Sequence, residues 1–128
     1  MPSRIEEELE LLRTRFPNLE FEPRGNWVRI TSYSLPTGWN RNATDVAFQF
    51  VSPPAAPYGI YVPSGLLFSD QRPTNYSEPA GNVPFAGTWG IFSWSPGDGE
   101  WRPSTTVVNG TNYLNWVLGF ASRFKEGI

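Results

Sequence analysis

The sequence predicts an α+β fold in which two terminal helices cover one face of a four-stranded antiparallel meander. Three observations predict it: helical periodicity at both ends, strand-like segments between them, and a long segment without periodicity before the last helix. A chain of 128 residues has the size of one domain, and we expect residues 1–128 to form it.

The first helix is predicted over residues 3–15. Ser3 and Glu6 have the spacing of a capping box, and Pro17 marks the end of the helix. The apolar residues that repeat at helical spacing are Ile5, Leu9, Leu12 and Phe16.

Four strands are predicted over residues 19–22, 27–33, 45–51 and 58–62. In the third, Val46, Phe48 and Phe50 alternate with Ala47 and Gln49, which is typical of a half-buried strand. Residues 63–84 are rich in Gly, Pro, Ser and Asn, which predicts a long loop.

The last helix is predicted over residues 111–125, with Gly127 ending it. Its apolar stripe consists of Leu114, Val117, Leu118, Ala121 and Phe124. Tyr113, Trp116 and Phe120 widen the stripe, so we expect this helix to be buried over much of its circumference.

Composition excludes several functional classes. The net charge of −2 and the absence of a basic run argue against binding of nucleic acid or anionic lipid. Without cysteine or histidine there is no disulfide, thiolate zinc site, thiol nucleophile or Ser-His-Asp triad. No apolar stretch has membrane-spanning length, and the first residues form a charged amphipathic segment rather than a signal peptide. We therefore expect a cytoplasmic protein.

One segment has a distinctive spacing. Gly90 stands three residues before Ser93, the apolar Phe92 directly precedes it, and a Trp-x-Pro sequence begins at Trp101, eight residues after it. This spacing resembles the active-site segment of the ubiquitin-conjugating (UBC) family, in which the position of Ser93 is a cysteine. The predicted order of helix, four strands, irregular segment and helix is also that of the UBC fold.

Further segments are similar to the same family. Pro53 and Pro57 match two prolines of its Tyr-Pro-x-x-Pro-Pro motif, and Pro84 matches the proline of its His-Pro-Asn motif, where Phe85 replaces the asparagine. The segments that resemble the bacterial branch of the superfamily are Gly25-Asn26-Trp27-Val28, Leu35-Pro36-x-Gly38-Trp39-Asn40 and Thr44-Asp45-Val46-Ala47-Phe48. The sequence departs from the family in an insertion before Pro84 and in lacking the C-terminal helices of typical members.

The resemblance implies an acyl transferase of ubiquitin-like conjugation. It would accept a ubiquitin-like modifier from an activating-enzyme homologue of the ThiF-like type and pass it to a target, without a metal or small cofactor. The modifier would be carried as an oxyester on Ser93, or on a cysteine for which the serine has been substituted.

A serine in this role needs a base, because its hydroxyl is a weak nucleophile until its proton is removed. Without histidine, the candidate bases are Asp98 and Glu100, which are close to Ser93 in sequence, or a group of the partner enzyme. Asn82 is the candidate oxyanion donor, since Phe85 has no donor in its side chain.

Other residues have a structural and a functional interpretation. Pro84, Gly90, Trp101 and Pro103 are predicted to form the scaffold of the active-site loop, while Trp94 either shields the ester or fills the core. Arg4, Arg13 and Arg15 are candidates for the interface with the activating enzyme, which the first helix helps to dock in the family; the alternative is an ordinary solvated face.

Two other functions remain open. A catalytically inert UBC variant would bind the modifier or the activating enzyme without carrying it, as the lost asparagine and the missing base suggest. An aromatic-rich carbohydrate-binding domain is less favoured, because most aromatic residues fall at positions with core periodicity.

Overall fold

A computed structural model describes residues 3–50, 56–81, 83–96 and 100–127 of the chain. Its architecture is α+β: a helix at each end and one six-stranded antiparallel sheet between them. The elements in chain order are α1 (Arg4–Arg13), β1 (Glu20–Glu22), β2 (Trp27–Ser34), β3 (Ala43–Gln49), β4 (Ile60–Pro63), β5 (Tyr76–Ala80), β6 (Trp89–Phe92), a 3-10 turn (Val107–Asn109) and α2 (Tyr113–Glu126).

The strands are arranged in the order β1-β2-β3-β4-β6-β5, and every neighbouring pair is antiparallel. The first four strands follow one another as a meander. β6 then pairs with β4, and β5 lies outside it at the edge of the sheet. The sheet therefore has six strands rather than the four that we predicted.

The predicted loop over residues 63–84 contains β5. This strand includes Pro79, which cannot donate to a ladder and is tolerated at a sheet edge. Its sequence, Tyr-Ser-Glu-Pro-Ala, has no apolar alternation, so sequence pattern gave no signal for it.

Helix α1 begins as predicted. Ser3 is its N-cap, and the Ser3 hydroxyl accepts a hydrogen bond from Glu6 N–H at 3.1 Å. The helix ends at Arg13, two residues before the predicted end, with Thr14 as the C-cap. Its buried face carries Leu9 and Leu12 into the core.

Helix α2 is capped at both ends. Asn112 and Asn115 form a reciprocal capping box, with N–H to side-chain oxygen distances of 2.9 and 3.2 Å. Gly127 adopts a left-handed conformation with φ of 75° and ends the helix, as we predicted. The helix begins at Tyr113, two residues after the predicted start.

The core lies between the sheet and the two helices, on what we call the inner face of the sheet. Its fully buried side chains include Leu12, Val28, Phe48, Ile60, Val62, Phe92, Trp94, Tyr113, Val117 and Phe124. Two hydrogen bonds attach α2 to the sheet side: the Tyr33 hydroxyl donates to Val117 O at 2.7 Å and the Trp39 indole to Phe124 O at 2.8 Å.

One charged residue is fully buried between the helices. Glu8 accepts hydrogen bonds from Tyr113 N–H at 3.0 Å and from Arg4 Nε at 3.2 Å. Burial raises the pKa of the Glu8 carboxyl above its usual value, and these bonds oppose that shift. Glu8 therefore joins the start of α2 to α1.

Neither helix of the described ranges has both the length and the apolar composition that crossing a bilayer requires.

Candidate active site

Ser93 directly follows β6, between two fully buried aromatic residues. Phe92 and Trp94 stack at 4.4 Å between ring centroids, and Trp94 also contacts Phe124 of α2 at 5.0 Å. Because side chains alternate along an extended chain, Ser93 points away from α2, and it is exposed. The hydroxyl therefore lies on the opposite surface of the sheet, which we call the outer face.

Gly90 has a steric reason to be glycine. A Cβ at this position would lie 2.1 Å from the Tyr76 hydroxyl and 2.3 Å from the ring carbon that bears it. Tyr76 is itself buried and its hydroxyl donates to Glu78 Oε2 at 2.7 Å. The ring of Tyr76 thus occupies the space above Gly90 and holds β5 against β6.

The backbone on both sides of Ser93 is paired. Ser93 N–H donates to Asn75 O at 2.9 Å, and Gly59 N–H donates to Trp94 O at 2.7 Å. The bond to Asn75 continues the register in which Phe92 pairs with Tyr76, whereas the Gly59 bond is shifted by one residue from the register in which Phe92 pairs with Ile60. Ser93 is therefore flanked by Gly59, which has no side chain, and by Asn75.

Aromatic residues lie on the outer face beside Gly59. Tyr61 packs edge-on against Trp27 at 5.1 Å between centroids. Burial raises the pKa of the Tyr61 hydroxyl, and the nearby Tyr58 hydroxyl raises it further. Tyr58 is 62% exposed, one of two large apolar side chains so exposed in the described part of the chain. The approach to Ser93 from this side is bordered by tyrosines.

A groove of about 600 Å³ lies on the other side of the same segment, between residues 95–96 and 100–101 and helix α2. Its walls include Ser95, Glu100, Trp101, Trp116, Phe120 and Arg123. The Arg123 guanidinium lies over the Trp94 ring at 5.5 Å and donates to Ser95 O at 3.1 Å. Ser93 is not among the described residues that line this groove.

One of the two candidate bases, Glu100, lies within the described residues. Glu100 lines the groove beside α2, and its backbone oxygen accepts a hydrogen bond from the Thr111 hydroxyl at 3.2 Å. Among the described residues, no hydrogen-bond partner of the Ser93 hydroxyl is found. Asp98, the other candidate base, and Asn82, the candidate oxyanion donor, lie outside the described residues, as does Pro53.

Residues 83–85, which match the His-Pro-Asn motif, lie near the start of β6. Trp89 Nε1 donates to the backbone oxygens of Phe85 and Ala86, each at 3.2 Å, and Arg29 lies over the Phe85 ring at 5.1 Å. Trp89 precedes Ser93 by four residues, which is about 13 Å along a strand. Phe85 is therefore held at the opposite end of β6 from Ser93.

The remaining predicted residues take various positions. Trp94 belongs to the core, Trp101 is half-buried and packs edge-on against Tyr113 at 5.6 Å, and Pro84 and Pro103 are exposed. Of the three arginines, Arg13 and Arg15 are exposed, whereas Arg4 bonds within the chain to Glu8 and to Ser104 O.

Sequence reasoning missed Asn75 and Gly59 as neighbours of Ser93. Both become neighbours only through strand pairing, and Asn75 stands in the segment that we predicted as a loop. The one available signal was the glycine at position 59 directly before an apolar strand, which indicates close backbone approach.

Comparison with protein-family models, with curated proteins and with solved structures found no match for this chain.

Proposed function

We propose that this chain is a bacterial, cytoplasmic protein of ubiquitin-like conjugation with a UBC-like fold. It accepts the C-terminal carbonyl of a ubiquitin-like modifier from a ThiF-like activating enzyme on Ser93, and transfers it to an amine of a target. The observation that carries this proposal is the exposure of Ser93 between the fully buried Phe92 and Trp94. An acceptor held on a rigid strand end and open to solvent suits transfer between large partners.

The order of the elements supports the proposal. A helix, four strands in meander order, a segment carrying the acceptor and a helix follow one another, as the resemblance implies. β5 and β6 are additions to this order. They bring the acceptor segment into the sheet and hold Ser93 at its end.

The modifier's tail is expected to approach on the outer face. Ser93 points to that face and is exposed there, so its hydroxyl is open to an approaching chain. The exposed Tyr58 offers an aromatic contact to such a tail. The groove beside α2 lies on the other side of the segment that carries Ser93. The tail would not occupy this groove, which stays open to a different region of the modifier or of the activating enzyme.

A charging reaction tests the proposal. The protein is incubated with its activating enzyme, the ubiquitin-like modifier and ATP, and the intact mass is measured. We expect an adduct of one modifier that resists thiol reductant, is removed by alkali and is absent in Ser93→Ala. Ser95→Ala, at the nearest other serine, is the matched control and should charge normally. Charging of the Ser93→Ala variant would contradict the proposal.

A second function is favoured by a specific observation: no base contacts the Ser93 hydroxyl within the described residues. A UBC-like adaptor would bind the modifier or the activating enzyme without forming an ester. It predicts no adduct in the charging reaction, together with measurable binding of the modifier by titration calorimetry. Absence of both charging and binding would exclude both functions.

A further inference from the structure

The residue that faces Ser93 across the sheet is Asn75. Its carbonyl oxygen accepts the Ser93 N–H at 2.9 Å, and the neighbouring Tyr76 pairs with Phe92 in the same register. Directly opposed residues of an antiparallel pair carry their side chains on one face, with Cβ atoms roughly 4.5–5.5 Å apart. Both Asn75 and Ser93 are exposed. The register therefore places Asn75, in the turn that precedes β5, opposite Ser93, and both side chains are exposed at this end of the sheet.

Acylation of Ser93 creates a charge that needs a donor. Ser93 Oγ forms a bond to the carbonyl carbon of the incoming thioester, and the carbonyl oxygen becomes an oxyanion. When that oxygen re-forms its double bond, the C–S bond breaks, and the leaving thiolate takes up the proton lost by the hydroxyl. Hydrogen-bond donors aimed at the oxyanion lower the barrier to this step.

Two backbone donors beside Ser93 are already bonded within the sheet. The Ser93 N–H is bonded to Asn75 O, and the Gly59 N–H to Trp94 O. Phe85 is held at the far end of β6 and has no donor in its side chain. A carboxamide carries two N–H donors, and within the described part of the chain no other group accepts a hydrogen bond from the Asn75 side chain.

We propose that the Asn75 carboxamide donates a hydrogen bond to the oxyanion that forms when residue 93 is acylated. The inference rests on the proposed function for its biological acyl donor. Acylation of residue 93 can be measured without the modifier or the activating enzyme. The role of Asn75 can therefore be refuted while the carrier function stands, and the carrier function can be refuted while the role of Asn75 stands.

The test uses the absence of cysteine from the chain. Ser93→Cys introduces a single thiol, whose acylation by p-nitrophenyl acetate releases p-nitrophenolate and is followed by absorbance. Asn75→Ala in this background should slow acylation about tenfold or more, because removing one oxyanion donor costs about 10²–10³-fold in a closed site and less in an exposed one. Ser77→Ala, an exposed change two residues further on in β5, is the matched control and should have no effect.

Alkylation by iodoacetamide distinguishes an effect on the oxyanion from an effect on the reactivity of the thiol, because displacement at a saturated carbon forms no oxyanion. We expect its rate to be the same with and without Asn75. Equal slowing of both reactions, or no slowing of acylation, would overturn the proposal. If Asn75→Ala does not fold, Asn75→Leu, which has similar size and no donor, takes its place with the same expected result.

Discussion

Gly90 shows how one missing side chain determines the packing beside Ser93. The Tyr76 ring lies across the glycine, and the Tyr76 ring is fixed by Phe92 at 4.9 Å between centroids and by the hydrogen bond to Glu78. A side chain at position 90 would have to displace a buried ring. The glycine that precedes Ser93 by three residues therefore has a structural role in this chain, whatever the function of Ser93.

The contrast between two glycines gives a prediction. Gly90→Ala should lower the free energy of unfolding by about 1–3 kcal/mol, the usual cost of overpacking. Gly119→Ala is the control: its Cβ would meet nothing within 4 Å, and it lies within α2. Alanine there should raise the free energy of unfolding by about 0.5–1 kcal/mol. Urea unfolding of both variants measures the difference, and a tolerated Gly90→Ala would contradict the packing of Tyr76.

The nature of residue 93 decides the chemistry available to the site. A serine hydroxyl without a base is a poor nucleophile, whereas a thiol is partly ionised near neutral pH. Among the described residues no base contacts the Ser93 hydroxyl, and the candidate base Asp98 lies outside them. Charging at the serine requires a base, from this chain or from the activating enzyme.

At the scale of elements, one carboxylate links β5 to a neighbouring segment in addition to its pairing with β6. Glu78 Oε2 accepts hydrogen bonds from Gly65 N–H at 3.0 Å and from the Tyr76 hydroxyl at 2.7 Å. These bonds hold the pKa of the Glu78 carboxyl below its usual 4.5. Glu78 thereby connects the edge strand to the segment that follows β4.

This network predicts a pH dependence. A carboxyl whose pKa is lower in the folded state contributes stability above pH of about 4.5 and loses it as pH falls through the folded pKa. The stability advantage of the parent over Glu78→Gln should therefore shrink as pH falls below about 4.5. Tyr76→Phe, which removes one donor to Glu78, should reduce the pH-dependent part of that advantage. Urea unfolding at a series of pH values measures the difference in free energy of unfolding between the parent and Glu78→Gln. A difference that does not change with pH would show that the two hydrogen bonds do not stabilise the ionised carboxylate.

Phe124 makes ring contacts from α2 to four aromatic residues of the core. Phe124 is fully buried and contacts Tyr33, Trp39, Phe92 and Trp94, with ring centroids 5.0–6.0 Å apart. Phe124→Ala should lower the free energy of unfolding by about 3–5 kcal/mol. Val108→Ala, at a side chain that is 61% exposed, should change it by less than about 0.5 kcal/mol. A small effect of Phe124→Ala in thermal unfolding would mean that α2 is not anchored there.

The elements that the sequence predicted correctly have strong local signals. Both helices were predicted within two residues at each end, because the Ser3 cap, the apolar stripes and Gly127 are all local features. β5 was missed because an edge strand with Pro79 is defined by its partner rather than by its own pattern. For the same reason Asn75 and Gly59 could not be assigned to the site: their proximity to Ser93 is a product of register.

At the scale of the whole molecule, the segment after β6 separates two surfaces. The inner side is filled by Trp94 and α2 and borders the groove lined by Glu100 and Arg123. The outer side carries Ser93 with Asn75, Gly59 and the exposed Tyr58. If the protein is a carrier, the acyl group and its donor meet on the outer side, and α2 serves to hold the acceptor strand in place.

The most direct test of the carrier proposal is charging of the Ser93→Cys variant with the activating enzyme, the modifier and ATP, followed by intact mass. Because the chain contains no cysteine, any thioester must form at position 93. The proposal predicts an adduct of one modifier that thiol reductant removes, formed faster than the ester on the parent serine. A variant that stays uncharged with an activating enzyme shown to be loaded with the modifier would contradict a carrier role for this site.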